Sequence, residues 1–442
     1  MQPYLISYCH NYNNYFIQTF IMKKYTLKLF TCLFIIITFF LTSCIKNTCE
    51  KQQQYTYYAP VYKTKAAVKA NIKSSDPTSI VNAGKIFIIG KYIFLNEIDK
   101  GIHVIDNSNP SSPKNISFIN IPGNQDMAIA GNTLYADVFT DLAVLNIADP
   151  TNISAGKFID GVFPFRAWSG GFSQDTNMVV IDFVKRDTTV ITNCNSGQII
   201  FSQSQFYAAS NSGSGSVNKS SSPIGTGGSM ARFALMNNRL YTVSTNDLSI
   251  FNVSNPLNPA YVKKLNVSNF TVETIFPFKN KLFIGSSNGM FIYGINNPDN
   301  PVKESQFEHV KTCDPVIADD NFAYVTLRSG NRCGGFVNQM DVLDINDISK
   351  PKLIKSYQLT NPHGLSKDKN LVFICDGSDG LKIYDATNND NLILIKQFTG
   401  YESYDVIAAN NIAIVITKDG LYQYDYADSN NIQLLSKLNI GI

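Results

Sequence analysis

Short apolar runs alternate with polar turn residues along most of this chain. Residues 231–267 contain four such runs, "ARFALMNN", "RLYTVST", "DLSIFNVSN" and "PAYVKKLNV". Runs of this length, rich in β-branched and aromatic residues and bounded by turn residues, predict β-strands. The second and third runs are often joined through Asn-Gly or Asp-Gly, which favours a tight hairpin because glycine accepts a positive φ. We find no helical periodicity beyond residue 76 and predict an all-β domain.

The four-strand unit recurs about every forty residues. Four antiparallel strands in a unit of that length are typical of a β-propeller blade, which buries both faces against its neighbours. The longest gap between aligned positions, 146 to 252, leaves room for a further unit at 177–193. We therefore predict a β-propeller of eight blades, each of four antiparallel strands, with seven blades as the alternative if 161–205 is an elaborated loop. The aligned third-strand positions are Asp106, Asn146, Asn252, Gly294, Asp344, Asp385 and Asp425.

The Asp or Asn that ends each third strand precedes a turn, often with proline. A short polar side chain can accept hydrogen bonds from nearby backbone N–H groups and stop the strand. Proline then removes a backbone donor that would otherwise need a partner. We interpret the repeated Asp as a turn-former rather than a ligand.

The third strand with its turn resembles the LVIVD-repeat proteins, a family of bacterial secreted or surface-associated β-propellers. The stretches "GIHVIDNSNPSSP" (101–113) and "DLSIFNVSNPLNP" (247–259) carry the resemblance, which extends over roughly residues 80–442. It implies a propeller fold and a location outside the cytoplasm. It implies no established reaction, so no catalytic residue can be transferred.

The beginning of the chain has the layout of a secretory signal. Three lysines after Met22 precede an apolar run, residues 29–41, that is short for a membrane span. Residues 41–44, "LTSC", resemble the lipobox of bacterial lipoproteins and make Cys44 the expected lipidated residue. We expect a signal peptide at 1–43 with its true start near Met22, a lipidated tether and lead-in at 44–75, and the propeller at 76–442, with a Gly/Ser-rich insertion at 210–229.

The charge balance argues against a nucleic-acid partner. The formal charge is +3, and residues 1–43 hold three lysines and no other charged residue, so the remaining chain is neutral (3 − 3 = 0). We expect a monomeric propeller held at a membrane by its lipid, with a protein or a small polar ligand as partner. Because no acidic cluster follows Cys44, we favour the outer membrane facing the periplasm.

A mostly charged column recurs where the first strand of each blade begins. These strands line the central channel of a propeller, so their starts should meet at one mouth. We consider two interpretations, ion pairs that brace neighbouring blades and a site for a small polar ligand. The column contains Lys85, Asp126, Arg232, Glu273 beside Thr274, Asp314, His363 and Asp405, with Arg166 in the expected extra unit.

Two further sites follow from residue types. A divalent cation held by Asp126, Asp314, Asp405 and His363 is an open alternative, although we assign no metal ligand and expect no cofactor. Cys313 and Cys333 are expected to reach the same face of one blade and to form a disulfide in an oxidising compartment.

The leading functional hypothesis is a non-enzymatic lipoprotein whose propeller binds or scaffolds. Loops on the face of the channel mouth, including 210–229 and 328–339, are the expected contacts. No nucleophile elbow, phosphate loop or zinc-protease motif is present in the sequence. The alternative is a propeller hydrolase or lyase that acts through the channel-mouth carboxylates and His363. Convergence of these side chains on a vacant pocket would favour the alternative, and pairing among themselves would favour binding.

Overall fold

The computed structural model describes residues 50–153, 156–164, 177–193, 225–269, 271–309, 315–329 and 335–440. The predicted signal peptide, Cys44, Arg166, Cys313, Asp314 and Cys333 lie outside these residues. The chain divides into two compact units. Of the described residues, the first unit contains 50–59 and 185–193, and the second contains the rest.

The described chain begins with a lead-in to the propeller. It consists of Glu50–Thr64 (β1), a short helix Lys65–Lys69 (α1) and Lys73–Ser75 (β2). The helix begins where the Thr64 hydroxyl accepts a hydrogen bond from the Ala67 amide at 3.1 Å, as an N-cap residue does. Within the described ranges no helix is long and apolar enough to cross a bilayer.

Seven blades follow in the second unit, each built from four consecutive antiparallel strands, and the sheet of blade 1 also includes β2 at its outer edge and the short strand Thr226–Gly227 (β12) at its inner edge. Blade 1 contains Ala83–Ile89 (β3), Tyr92–Glu97 (β4), Gly101–Asp106 (β5) and Lys114–Asn120 (β6). Blade 2 contains Met127–Ala130 (β7), Thr133–Val138 (β8), Asp141–Asn146 (β9) and Lys157–Ile159 (β10). Two strands outside this pattern come next, Met178–Asn193 (β11) and Thr226–Gly227 (β12).

The remaining five blades repeat the same meander. Blade 3 contains Phe233–Met236 (β13), Arg239–Ser244 (β14), Asp247–Asn252 (β15) and Ala260–Asn266 (β16). Blade 4 contains Val272–Phe278 (β17), Lys281–Ser286 (β18), Gly289–Gly294 (β19) and Val302–Glu308 (β20). Blade 5 contains Val316–Ala318 (β21), Phe322–Leu327 (β22), Gln339–Asp344 (β23) and Lys352–Gln358 (β24). Blade 6 contains Leu365–Asp368 (β25), Leu371–Cys375 (β26), Leu381–Asp385 (β27) and Ile393–Phe398 (β28). Blade 7 contains Ser403–Ala409 (β29), Ile412–Thr417 (β30), Gly420–Asp425 (β31) and Gln433–Asn439 (β32).

The propeller therefore has seven blades. The prediction of eight is wrong, and the stated alternative of seven is confirmed. Residues 177–193, taken as the eighth unit, contribute the single long strand β11, which pairs with β1 in a separate two-stranded sheet. Alternating residues can form a strand with whatever edge is available, so the local pattern did not reveal that the partner was the lead-in rather than a blade.

The first strands of the seven blades form a closed inner ring. Each contacts the first strand of the next blade, and β29 of the last blade contacts β3 of the first. No strand is exchanged between these two blades, since each is made from consecutive strands. Their joint is instead an apolar core that contains Ile86, Ile93 and Ile414. Burying such side chains is the main stabilising term in packed sheets.

Polar contacts reinforce the joint between blades 7 and 1 near the outside. The amide side chains of Asn107 and Gln423 exchange hydrogen bonds at 2.9 and 2.7 Å. The Ser436 hydroxyl donates to the Pro110 carbonyl at 2.6 Å. The chain thus closes its ring by packing and side-chain hydrogen bonds.

The repeated Asp and Asn side chains form turns, as interpreted from the sequence. In six blades the aligned side chain accepts a hydrogen bond from the backbone N–H two residues later, at 2.8 to 2.9 Å. The seventh, blade 4, has Gly294. A Cβ atom there would lie 2.1 Å from Glu304 Oε1, an oxygen that also accepts a hydrogen bond from Lys281. A salt bridge therefore occupies the space that the turn-forming side chain fills elsewhere.

Candidate functional site

The described members of the predicted column lie where the inner strands of six blades begin. Lys85 is in β3, Glu273 in β17 and Asp405 in β29, and each lies at a local irregularity in strand register. Asp126 and Arg232 immediately precede β7 and β13, and His363 lies two residues before β25. With seven blades there is no extra unit for Arg166, which is outside the described residues, as is Asp314.

Lys85 and Asp126 form a buried ion pair between blades 1 and 2. The Lys85 Nζ atom lies 2.5 Å from Asp126 Oδ2, and the two residues are 3% and 1% exposed. Burial lowers the pKa of the Lys85 ammonium below its usual value. The nearby charge of Asp126 raises this pKa, but by less than burial lowers it. The same carboxylate accepts hydrogen bonds from the backbone amides of Met127 and Arg232. Asp126 thus joins blades 1, 2 and 3.

A second buried carboxylate, Asp137, supports this pair from β8. Its Oδ1 atom accepts hydrogen bonds from the backbone amides of Gln125 and Asp126 and from the Asn124 side chain, at 2.7 to 2.9 Å. Arg232 Nη2 lies 3.8 Å from Asp137 Oδ2. The cations and carboxylates at this end of the ring are therefore matched to one another.

The described end of the Gly/Ser-rich insertion turns into the inner ring. We call residues 225–231 the inner strap. Six of its seven residues are buried. Within it β12 pairs with β3 of blade 1 through Thr226 and Gly227, and the Gly225 amide donates to the Ile129 carbonyl of blade 2 at 3.1 Å. The inner strap, a segment of the same chain, therefore lies against the inner strands where the column residues are found.

Asp405 of blade 7 is bound by the inner strap. Its Oδ1 atom accepts hydrogen bonds from the backbone amide and the hydroxyl of Ser229, at 3.1 and 3.2 Å, and from the Val406 amide at 2.9 Å. Its Oδ2 atom is buried and has no hydrogen-bond partner among the described residues. Burial raises the pKa of Asp405 to about 8, although these donors and the Lys85 charge oppose the shift. Such desolvation disfavours the charged form of a carboxyl group.

Two glycines close over the Asp405 carboxyl group. A Cβ atom at Gly228 would lie 2.0 Å from Oδ2, and one at Gly364 would lie 2.1 Å from Oδ1. Both distances are far below a van der Waals contact. The group is therefore enclosed by backbone on the sides where these glycines lie.

His363 of blade 6 packs against Arg328, a partly buried arginine of blade 5. Arg328 Nη1 lies 2.5 Å from Nδ1 and 2.9 Å from Nε2 of His363, and the Tyr404 ring meets the imidazole edge-on at 5.4 Å between ring centres. Burial and then the Arg328 charge lower the pKa of His363 to about 3. Burial also lowers the pKa of Arg328, although the negative charge of Glu273 acts in the opposite direction and raises it. His363 is thus a neutral imidazole near pH 7.

The described part of the chain gives no arrangement that resembles a metal centre. Among these residues no three His, Cys, Asp or Glu side chains are grouped as a metal ion requires. Asp126 is paired with Lys85, and His363 with Arg328. Asp314 falls outside the described residues, and so do both cysteines of the predicted disulfide.

Several residues that complete this region were missed in the sequence. Ser229 and the glycines beside it looked like the end of a loop, because Gly/Ser-rich composition is typical of exposed linkers. Asp137, in the strand "LYADVF", was a detectable signal, since a carboxylate in an otherwise apolar buried strand needs partners. Arg328 offered a similar signal at the end of "YVTLRSG".

Comparison with known families agrees with the geometry of the blades. A family model described as "LVIVD repeat" matches residues 82–119 and 312–359. The first match coincides with most of blade 1 and the second includes blade 5. The fold is a seven-bladed β-propeller, and it contains LVIVD repeats at these two places. A search of curated proteins finds no match.

Solved structures with a similar fold include designed and natural proteins. The computationally designed protein Ika8 is 9% identical, with a TM-score of 0.48 over 83% of this chain and 91% of that chain. A protein from Lactobacillus plantarum is 12% identical, with a TM-score of 0.45 over 73% and 84%. BamB from Moraxella catarrhalis is 8% identical, with a TM-score of 0.46 over 84% and 97%.

Proposed function

We propose that this protein is a lipoprotein of the bacterial cell envelope whose propeller binds or scaffolds another molecule and does not catalyse a reaction. Its lipid on Cys44 holds it at the outer membrane, facing the periplasm. The observation that carries the binding role is the pairing within the column. Lys85 and Asp126 bind each other, Asp405 binds the inner strap, and His363 binds Arg328.

The anchor rests on the sequence from Met22 to Cys44, with its lysines, apolar run and "LTSC" in the order that lipoprotein processing requires. Export of the full chain in a bacterial host, followed by detergent phase separation, tests it. We expect the wild-type protein to enter the detergent phase and Cys44→Ala to lose that partition. Cys49→Ala is the matched control, because Cys49 is five residues away and outside the "LTSC" motif. Detergent partition of Cys44→Ala equal to that of the wild type would contradict the anchor.

An exposed aromatic residue supports a binding face near the column. Phe336 is 97% exposed and lies in the loop between β22 and β23, one strand outward from the inner ring. Aromatic side chains are enriched among residues that dominate binding interfaces. This connection is part of the loop 328–339 that the sequence indicated as an expected contact. We therefore propose that the partner binds at this loop and contacts Phe336.

Affinity capture from detergent-solubilised envelopes tests this contact. We expect a saturable partner to be retained by the wild-type protein and lost from Phe336→Ser. Tyr261→Ser is the matched control, since Tyr261 is 58% exposed on the outermost strand of blade 3. Equal retention by both variants would exclude Phe336 from the contact.

The second candidate is a hydrolase or lyase acting through Asp405 and His363. One observation favours it, because a carboxyl group whose pKa is raised to about 8 is typical of catalytic acids. Against it, the carboxyl group is 1% exposed and enclosed by Gly228 and Gly364, so a substrate would have to displace the inner strap. A hydrolase activity lost in both Asp405→Asn and His363→Gln would establish this function in place of the first.

A further inference from the structure

The inner strap touches blades on opposite sides of the ring. On one side the Gly228 amide donates to the Ile86 carbonyl of blade 1 at 3.0 Å. On another, the Ser229 hydroxyl accepts from the Leu365 amide of blade 6 at 2.5 Å and donates to Asp405 of blade 7. At its end the Ala231 carbonyl accepts from the Ile275 amide of blade 4 at 2.9 Å. Seven residues therefore bond to blades 1, 2, 4, 6 and 7.

These hydrogen bonds include both sides of the joint where the ring closes. Blades 1 and 7 come from opposite ends of the propeller sequence and exchange no strand. The inner strap binds β3 of blade 1 through β12 and Gly228, and it binds β29 of blade 7 through Ser229. It therefore supplies, from the middle of the chain, backbone hydrogen bonds on both sides of this joint.

The glycines of the inner strap are required by how closely it approaches the ring. A Cβ atom at Gly225 would lie 2.2 Å from Phe87 Cε1 and 2.5 Å from the Ile88 carbonyl oxygen. At Gly228 it would lie 2.0 Å from Asp405 Oδ2. Glycine permits such close approach of one backbone to another segment. The glycine-rich composition of the inner strap, which is typical of a flexible linker, is here required by its close packing against the ring.

We propose that the inner strap is an internal clasp that closes the propeller ring, and that the protonation state of Asp405 controls how firmly it is docked. This inference is independent of the lipid anchor and of any partner. It assigns a conformational role to a carboxyl group that neither binding nor anchoring explains.

The direction of the pH effect follows from the surroundings of Asp405. In the docked state its Oδ2 atom has no hydrogen-bond partner in the described ranges, and the charged or titratable groups that face it are Lys85 from β3 and the buried Cys375 from β26. Its pKa in the docked state, about 8, is above that of a solvated aspartate. Docking therefore takes up a proton. It is firmest at low pH and weakens as pH rises towards 8, where Asp405 ionises in both states and the dependence ends.

Hydrogen exchange of the full-length protein at pH 5.5 and pH 8 tests the clasp. We expect amides of the inner strap, after correction for intrinsic exchange, to be less protected at pH 8, while amides of β30 and β31 change little. In Asp405→Asn, which keeps an oxygen acceptor and cannot ionise, this difference should disappear. A pH dependence of the strap that persists in Asp405→Asn would overturn the role of Asp405. Strap amides that exchange as fast as those of an unstructured peptide at both pH values would overturn the clasp.

A second variant tests the docking contact without changing charge. Ser229→Ala removes the hydroxyl that links Leu365 and Asp405. Loss of a net hydrogen bond is expected to speed exchange of strap amides by roughly fivefold, corresponding to about 1 kcal/mol. Ser436→Ala is the matched control, because Ser436, in the outer strand of blade 7, also bonds to blade 1, at the turn that contains Pro110. Faster strap exchange in Ser229→Ala alone is the expected result, and unchanged strap exchange there would count against the clasp.

Discussion

The ammonium group of Lys85 and the carboxylate of Asp126 lie 2.5 Å apart in the interior, joining the first two blades of the propeller. Breaking a buried pair by removing one partner is costly, because the other charge remains without compensation. The backbone amides of Met127 and Arg232 also point at Asp126. This pair therefore fixes how blades 1, 2 and 3 meet.

We predict that Lys85→Met and Asp126→Asn each lower the free energy of unfolding by roughly 3–5 kcal/mol, and that the double variant loses clearly less than the sum. Urea unfolding followed by circular dichroism measures this. Lys264→Met, at a pair with Asp247 in which both side chains are partly exposed, should cost at most about 1 kcal/mol. Strict additivity of the two buried changes would show that the groups do not interact.

His363 should not titrate between pH 5 and 8. Burial and the Arg328 charge lower its pKa to about 3, so the imidazole gains a proton only in acid. Its NMR ring signals, assigned by their loss in His363→Gln, should stay constant over this range. An efficient general base at neutral pH has a pKa near 7. A titration midpoint between 6 and 7 would instead make His363 a catalytic candidate again.

The turn after each third strand should depend on the Asp oxygen, not on its charge. Asp385 Oδ1 accepts hydrogen bonds from the Thr387 amide at 2.8 Å and from its hydroxyl at 2.6 Å. We expect Asp385→Ala to destabilise the propeller by about 1 kcal/mol and Asp385→Asn by less, since asparagine keeps the oxygen acceptor. Thermal unfolding measures both. Equal losses in the two variants would mean that charge, rather than the acceptor, matters.

Cys375 should be unreactive in the native protein. It is fully buried in β26, and burial raises the pKa of its thiol, so little thiolate forms at neutral pH. A maleimide reagent should label it only after denaturation. Cys375→Ala identifies its contribution to the labelling. Rapid labelling of Cys375 under native conditions would contradict its buried position.

The predicted disulfide between Cys313 and Cys333 has its own test. In denatured, unreduced protein, neither cysteine should react with a thiol reagent, and both should react after reduction. Peptide mass spectrometry locates the labels. Labelling of Cys313 without reductant would exclude the bridge.

The number of blades could not be obtained from the repeat alone. Residues 177–193 have the composition of blade strands, yet they form β11 and pair with β1. Whether a strand joins a blade depends on which sheet edges remain unpaired once the ring has closed. The set of unpaired edges depends on the fold of the whole chain, not on the local sequence. The turn-forming residues were predicted more successfully, because an Asp side chain and an amide two residues away are held together by local geometry.

The sequence by itself determined the repeated four-strand unit, the turns that end its third strands and the residues at the starts of the inner strands, because each depends on neighbours along the chain. The tertiary structure alone decided that there are seven blades and that Lys85 pairs with Asp126. It also placed a glycine-rich segment against Asp405. These outcomes join residues 41 and 176 positions apart, and such pairings are selected by packing and by the cost of burying an unpaired charge.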